Sequence, residues 1–293
     1  MQNFEASLAL KARAVLGEGP VWDAATHSLY WLDIKSNKLF RWHPLTSEQR
    51  EWKFDQMVGC IAMTNSQQIV CALQDKVVLL DTITSNIQEF AALEPDQPDN
   101  RANDGKPDAA GRFWIGTLNI PGDKNKAALY MLGKSGELTK KVDGLSLSNG
   151  LGWSPDLRSM YLVDTLEEHV LQFDYNAETG DLTNRRVILD LSDAKGSPDG
   201  MCVDAEGMLW IAFYGGKRVG RYDPSTGEQL AEVAVPAVNV TCCVFGGDAL
   251  DTLYITSARD GVSHDELQEY PLTGSLFMVK PGVKGLPGNL FNL

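Results

Sequence analysis

The chain has 293 residues, 43% of them hydrophobic and 22% charged, and carries a formal net charge of −13. That is the composition of an ordinary soluble globular protein, long enough to bury a large core without disulfide or metal staples. The acidity argues against nucleic acid and anionic membrane surfaces as partners, since both select basic patches. No run approaches the roughly 18 consecutive apolar residues of a membrane span.

Residues 1–10 (MQNFEASLAL) lack a basic n-region and include Glu5, which is not the pattern of a signal peptide. Residues 5–14 alternate weakly in polarity and are expected to pair with the last repeat and close a ring. From there on, short runs rich in Val, Ile, Tyr, Trp and Phe alternate with Gly, Asp, Asn and Pro clusters, which reads as strands and turns. The runs recur as a unit. One begins at Gly19, and others follow from Gly59, Gly105, Gly150 and Gly200. A sixth, without the glycine, begins at Val240.

Each unit holds an apolar strand, a polar turn (DAAT, TNSQ, DAAG, SPDL, DAEG, GGDALD), and a second strand (LYWLDI, IVCAL, FWIGTL, MYLVDT, LWIAFY, LYITSA). A third, alternating strand and a weaker fourth follow. The glycines are spaced by 40, 46, 45 and 50 residues. Four strands in a period of about 40 to 50 residues is the signature of propeller blades. The expectation is an all-β, six-bladed β-propeller forming one domain over residues 1–293. Trp31, Trp114, Trp210 and Phe213 on second strands are expected to pack between blades. The tail after Pro281 is expected to be irregular.

The five cysteines, Cys60, Cys71, Cys202, Cys242 and Cys243, show no CxxC spacing and lie in or beside apolar stretches. They are expected to be buried free thiols in a cytoplasmic protein. His27, His43, His169 and His264 fall outside the starts of the inner strands, so no histidine-rich zinc or iron site is indicated. There is neither a Gly-x-Ser-x-Gly elbow nor a phosphate-cradling glycine loop.

The innermost strand of a blade lines the central channel. The residue before the repeat glycine is Glu18, Val58, Asp104 (after Asn103), Asn149 and Asp199 in the first five units. Asn and Asp favour turns before glycine, yet oxygen-bearing side chains at equivalent places of four units converge on one point. Glu18, Asp199 and the Asn149 amide oxygen make a hard, anionic cage suited to a divalent cation.

These motifs (Gly17-Glu18-Gly19-Pro20, Arg101-Ala102-Asn103-Asp104-Gly105, Gly116-Thr117, Ser148-Asn149-Gly150-Leu151 and Pro198-Asp199-Gly200) resemble the family of gluconolactonase, senescence marker protein 30 (regucalcin) and the bacterial aldonolactonases. The resemblance runs through all six units. It implies one divalent metal (calcium, zinc, manganese or iron(II)) held by Glu18, Asn149 and Asp199, with Asp199 also the general base. It implies that Arg101 and Asn103 contact the substrate. Some relatives carry a substrate-binding glutamate shortly after the Gly-Thr pair. Here that stretch is Leu118-Asn119-Ile120-Pro121, which makes Asn119 the candidate in its place.

The function so implied is metal-dependent hydrolysis of an aldono-1,4- or 1,5-lactone, such as arabinono-, xylono-, galactono- or gluconolactone, to the aldonic acid. The alternatives are a non-catalytic calcium-binding regulatory propeller and an organophosphate or paraoxonase-like esterase. Arg101 and Asn103 favour a polyol substrate over either. The expected partner is a small sugar lactone, with the chain a monomer or weak homo-oligomer.

Overall fold

The computed structural model describes residues 1–293. It contains six sheets, antiparallel apart from one added edge strand, that follow one another in the sequence as the blades of a ring. Their inner strands are Gly17–Asp23, Val58–Met63, Asn100–Pro107, Ser148–Trp153, Ser197–Val203 and Asn239–Gly246. The protein is a six-bladed β-propeller, as the repeat predicts.

The second strands read as near-continuous apolar runs because neighbouring blades cover both of their faces. Every residue of Ser28–Asp33 and of Thr252–Ala258 is buried. The core accordingly divides into six apolar clusters, one for each contact between neighbouring blades. Trp31, Trp114, Trp210 and Phe213 lie buried in four of these layers, where the sequence places them. All five cysteines are free and buried.

Closure of the ring uses two pieces of the N-terminus. Ser7–Leu10 pairs antiparallel with Leu276–Val279 as the outer strand of blade six, the expected closure. Gln2–Glu5 adds an unforeseen fifth strand to blade five, parallel to Gln229–Ala234. The C-terminal tail is irregular but firmly seated. It bridges to blade five through Asp204 and Gly285 and to blade two through Thr64 and Phe291. Phe291 is buried in the layer between blades two and three.

One feature of the inner strands positions the site. In all six, the pairing with the second strand slips by a bulge at the same level. A bulge bends its strand and re-aims the residues within it. The residues facing the middle of the second strand are Met201, Leu151, Gly105, Ile61 and Cys243, opposite Ile211, Leu162, Ile115, Cys71 and Ile255. Two places before each stand Asp199, Asn149, Asn103, Gly59 and Thr241, and Glu18 is the blade-one equivalent.

This corrects the frame taken from the glycines. That frame holds in blades one, four and five, but it is off by one in blades two and three. Gly59, not Val58, and Asn103, not Asp104, share the level of Glu18, Asn149 and Asp199. The reason is steric. A Cβ on Gly59 would lie 2.3 Å from the Ala102 carbonyl oxygen of blade three, and one on Gly105 would lie 2.4 Å from the Trp114 carbonyl oxygen. These two positions leave no room for a Cβ, and the crowded place is not fixed relative to the bulge.

Candidate metal and substrate site

The bulges of blades one, four and five bring Glu18, Asn149 and Asp199 together at one end of the channel, and all three are buried. The entry loops of two of these strands are held from behind. The Asp33 carboxylate accepts from the backbone N–H groups of Val15 and Leu16, each at 3.0 Å. Asp164, at the matching end of blade four's second strand, accepts from Ser146 (3.0 Å) and Leu147 (2.9 Å). Sequence reasoning missed both supports. Their signal is an Asp closing the second strand in LYWLDI and MYLVDT.

Within the site, Asn149 Nδ2 donates to Asp199 Oδ1 at 2.5 Å and to Thr165 Oγ1 at 3.0 Å. This turns the amide oxygen away from both. Asn149 Oδ1 is buried and has no hydrogen-bond partner, and neither has Asp104 Oδ2. Glu18 Oε2 accepts from the Gly19 N–H at 2.9 Å.

Burial pushes the Glu18 carboxyl well above the ordinary range, and repulsion from Asp199 and then Asp104 pushes it further. Burial likewise raises Asp199, against the opposing Asn149 hydrogen bond, with Asp104 adding to the rise. Asp104 is itself raised by burial, with Lys106 acting against it.

Arg101 supplies the opposite charge. Its guanidinium is buried, and desolvation lowers its pKa to about 10 although Glu18 and Asp199 favour the charged form. Arg101 Nη1 donates to the Ala102 carbonyl at 2.7 Å and to Asn103 Oδ1 at 3.1 Å. Asn103 Nδ2 donates to the Ser148 carbonyl at 3.0 Å, which ties blade three to the strand carrying Asn149.

Asn119 is engaged within its own loop. Its Nδ2 donates to Asn100 Oδ1 at 3.0 Å and its Oδ1 accepts from the Asp123 N–H at 3.1 Å. The insertion after Asp260 reaches the same end of the channel. The Asp260 carbonyl accepts from the Tyr214 hydroxyl (2.8 Å) and from Asn239 Nδ2 (2.9 Å). Burial raises the Tyr214 hydroxyl, and the charges of Asp260, Asp199 and Glu18 raise it further. A short capped helix, His264–Glu269, follows in the insertion.

No three His, Cys, Asp or Glu side chains form a metal cluster by themselves. The set converging here is two carboxylates and an amide. Its chemistry nevertheless fits a hard divalent cation: two buried acids repel each other, and a buried carbonyl-type oxygen stands without a donor. Thr241 occupies the same level in blade six but is committed elsewhere, donating to the Gly17 carbonyl at 2.6 Å.

The comparisons with known proteins agree with the fold. The family model described as SMP-30/Gluconolactonase/LRE-like region matches residues 16–259. The chain is 38% identical over 293 residues to regucalcin of Oryctolagus cuniculus, with 98% of each chain covered. It is 36% identical over 274 residues to the putative sugar lactone lactonase YvrE of Bacillus subtilis, with 94% of each covered. Among solved structures, a calcium-binding protein, regucalcin, from Agrobacterium tumefaciens superposes with a TM-score of 0.95 at 31% identity, covering 100% of both chains. A match of this extent, over a propeller with converging acids in its channel, makes the chain a member of the SMP-30/gluconolactonase/LRE-like family.

Proposed function

We propose that the protein hydrolyses a sugar lactone, an aldono-1,4- or 1,5-lactone, at the Glu18–Asn149–Asp199 end of the channel. The observation that carries this reading is the gathering of two buried carboxylates, Glu18 and Asp199, around Asn149, whose Oδ1 has no partner, beside the buried cation of Arg101. That combination offers a place for a divalent ion together with a group that positions oxygens of a polar substrate.

A lactone is a cyclic ester, and its hydrolysis passes through a tetrahedral oxyanion. A divalent cation held by Glu18, Asn149 and Asp199 would supply Lewis acidity to the lactone carbonyl and favour the developing negative charge. Asp199 is the base that takes the proton of the attacking water. A positioned carboxylate of this kind typically contributes about 10²- to 10⁴-fold. Arg101 holds ring or hydroxyl oxygens through a planar fork that Lys cannot imitate. Asn103 fixes the direction of that fork by accepting from Arg101 Nη1. Asn119, closed into its loop, contributes at most through the shape of the rim.

Proton release from a panel of pentono- and hexonolactones tests the proposal, with metal-stripped and metal-restored protein and an enzyme-free control for spontaneous opening. Metal-dependent turnover of a lactone is the expected result. Failure of every lactone with every divalent ion overturns the reading in favour of a calcium-binding or other esterase role.

A further inference from the structure

Glu18, Asn149 and Asp199 stand near the starts of their inner strands. Toward their far ends all six inner strands, from Val21 on blade one to Phe245 on blade six, line a cavity of about 380 Å³ at the opposite mouth of the channel. The C-terminal tail closes one side of it through Leu286, Pro287 and Asn289. That stretch is pinned at both ends, by the bridges of Gly285 to Asp204 and of Phe291 to Thr64, and Asn289 Nδ2 donates to the Pro107 carbonyl at 3.2 Å. The volume falls in the range of small-molecule sites, roughly 300–1,000 Å³.

The walls are largely apolar, and one charge enters them. Lys106 of blade three reaches across the channel and donates to the main-chain carbonyls of Leu151 on blade four (3.1 Å) and Met201 on blade five. An ammonium has three donors, so one remains. Lys106 forms no ion pair, and it keeps part of its surface accessible where it lines the cavity. Carbonyl dipoles solvate an ammonium without neutralising it. A free donor on a cation, framed by apolar walls, favours an anion that brings its own apolar body. A sugar or sugar acid suits this end of the channel badly, because its hydroxyls would give up water for walls that offer few partners.

We propose that the cavity is a second small-molecule site, for a monocarboxylate with an apolar chain or ring. The carboxylate accepts from the free donor of Lys106, and the apolar body lies against Trp22, Ile61, Trp153 and Phe245. The site is separate from the acid end of the channel and rests on neither the lactone nor the metal reading.

Isothermal titration in EDTA with octanoate, 1-octanol and octylammonium tests the proposal. The proteins are the wild type, Lys106→Met, and two variants that put a larger ring into the cavity, Val244→Phe and Leu286→Trp. The wild type is expected to bind octanoate saturably with a Kd of about 1 mM or tighter. Octanol should bind about tenfold or more weakly than octanoate, since it cannot offer the ammonium an anion, and octylammonium should not bind. Lys106→Met is expected to lose about tenfold or more in affinity for octanoate while keeping its affinity for octanol. The ring variants should weaken both ligands. Absence of saturable octanoate binding by the wild type overturns the proposal, and so does equal affinity for octanoate and octanol. Unchanged octanoate binding in Lys106→Met, or in both ring variants, likewise overturns it. If Lys106→Met does not fold, the three ligands on the wild type decide the role of charge, and whichever ring variant folds decides the place.

Discussion

Asp199 and Asp204 lie five residues apart on blade five, at opposite ends of one inner strand, and both are buried. Their surroundings differ in every other respect. Asp204 accepts from the backbone N–H groups of Glu206 (2.9 Å) and Met208 (3.0 Å), from Trp210 Nε1 (2.9 Å) and from Arg221 Nε (2.8 Å). Blade three repeats the device: Asp108 takes Ala110, Arg112 and Trp114 Nε1. Asp199 has the Gly200 N–H and one side-chain donor, Asn149, whose own oxygen is left without a partner, and it faces like charges on Glu18 and Asp104. A buried acid supplied with donors holds a turn. A buried acid with few donors, set among like charges, suits the cation proposed above.

Replacing each acid sharpens the contrast. Asp199→Ala is expected to reduce lactone turnover by about 10³-fold or more, since a positioned base alone contributes roughly 10²- to 10⁴-fold. It should abolish stabilisation by divalent ions while leaving the fold intact by circular dichroism. Asp204→Ala is expected to do the reverse. It strands Arg221 and Trp210 Nε1, and breaking a buried pair costs about 3–5 kcal/mol. Tm should fall by roughly 10 °C, with turnover per folded molecule close to wild type. Equal effects of the two variants on turnover would erase the distinction.

Arg101→Ala is expected to lower kcat/KM by about 100-fold, mostly through KM, because a uniformly positioning contact is lost. Steady-state kinetics separates that outcome from a loss in kcat, which would move Arg101 into the chemical step.

The acids also predict a pH dependence of stability. The folded-state pKa values of Glu18 and Asp199 lie above their unfolded values, so the metal-free fold holds protons that the unfolded chain releases. Their contribution favours the fold below the ordinary carboxylate range and is lost as pH rises through the raised folded values. Urea midpoints in EDTA should therefore fall as pH is raised from about 4.5 toward 8, and Asp199→Asn should flatten the slope. A slope unchanged in that variant would assign it to other groups. The smallest effect is expected for Asn119→Ala, a change in kcat/KM of under about threefold, since its amide is used inside its own loop.

The blades were legible in the sequence because each repeats one strand–turn–strand pattern. Glu18, Asn149 and Asp199 were legible because in blades one, four and five the glycine directly follows the ring position. In blades two and three the closest backbone contact moved to a neighbouring residue, and the glycine moved with it, which is why Val58 and Asp104 were misplaced. Asp33 and Asp164 were hidden because an Asp at a strand end reads equally as a turn former. The parallel strand Gln2–Glu5 and the seat of Phe291 are contacts between the ends of the chain and distant blades, with no local pattern to announce them.

The central proposal is that Glu18, Asn149 and Asp199 hold a divalent cation. Isothermal titration of the metal-stripped wild type and of Asp199→Asn with Mn²⁺, Ca²⁺ and Zn²⁺ tests it most directly. The account predicts saturable binding by the wild type and its loss, by about 100-fold or more in Kd, in Asp199→Asn. Equal affinity of the two proteins for the ion would contradict it.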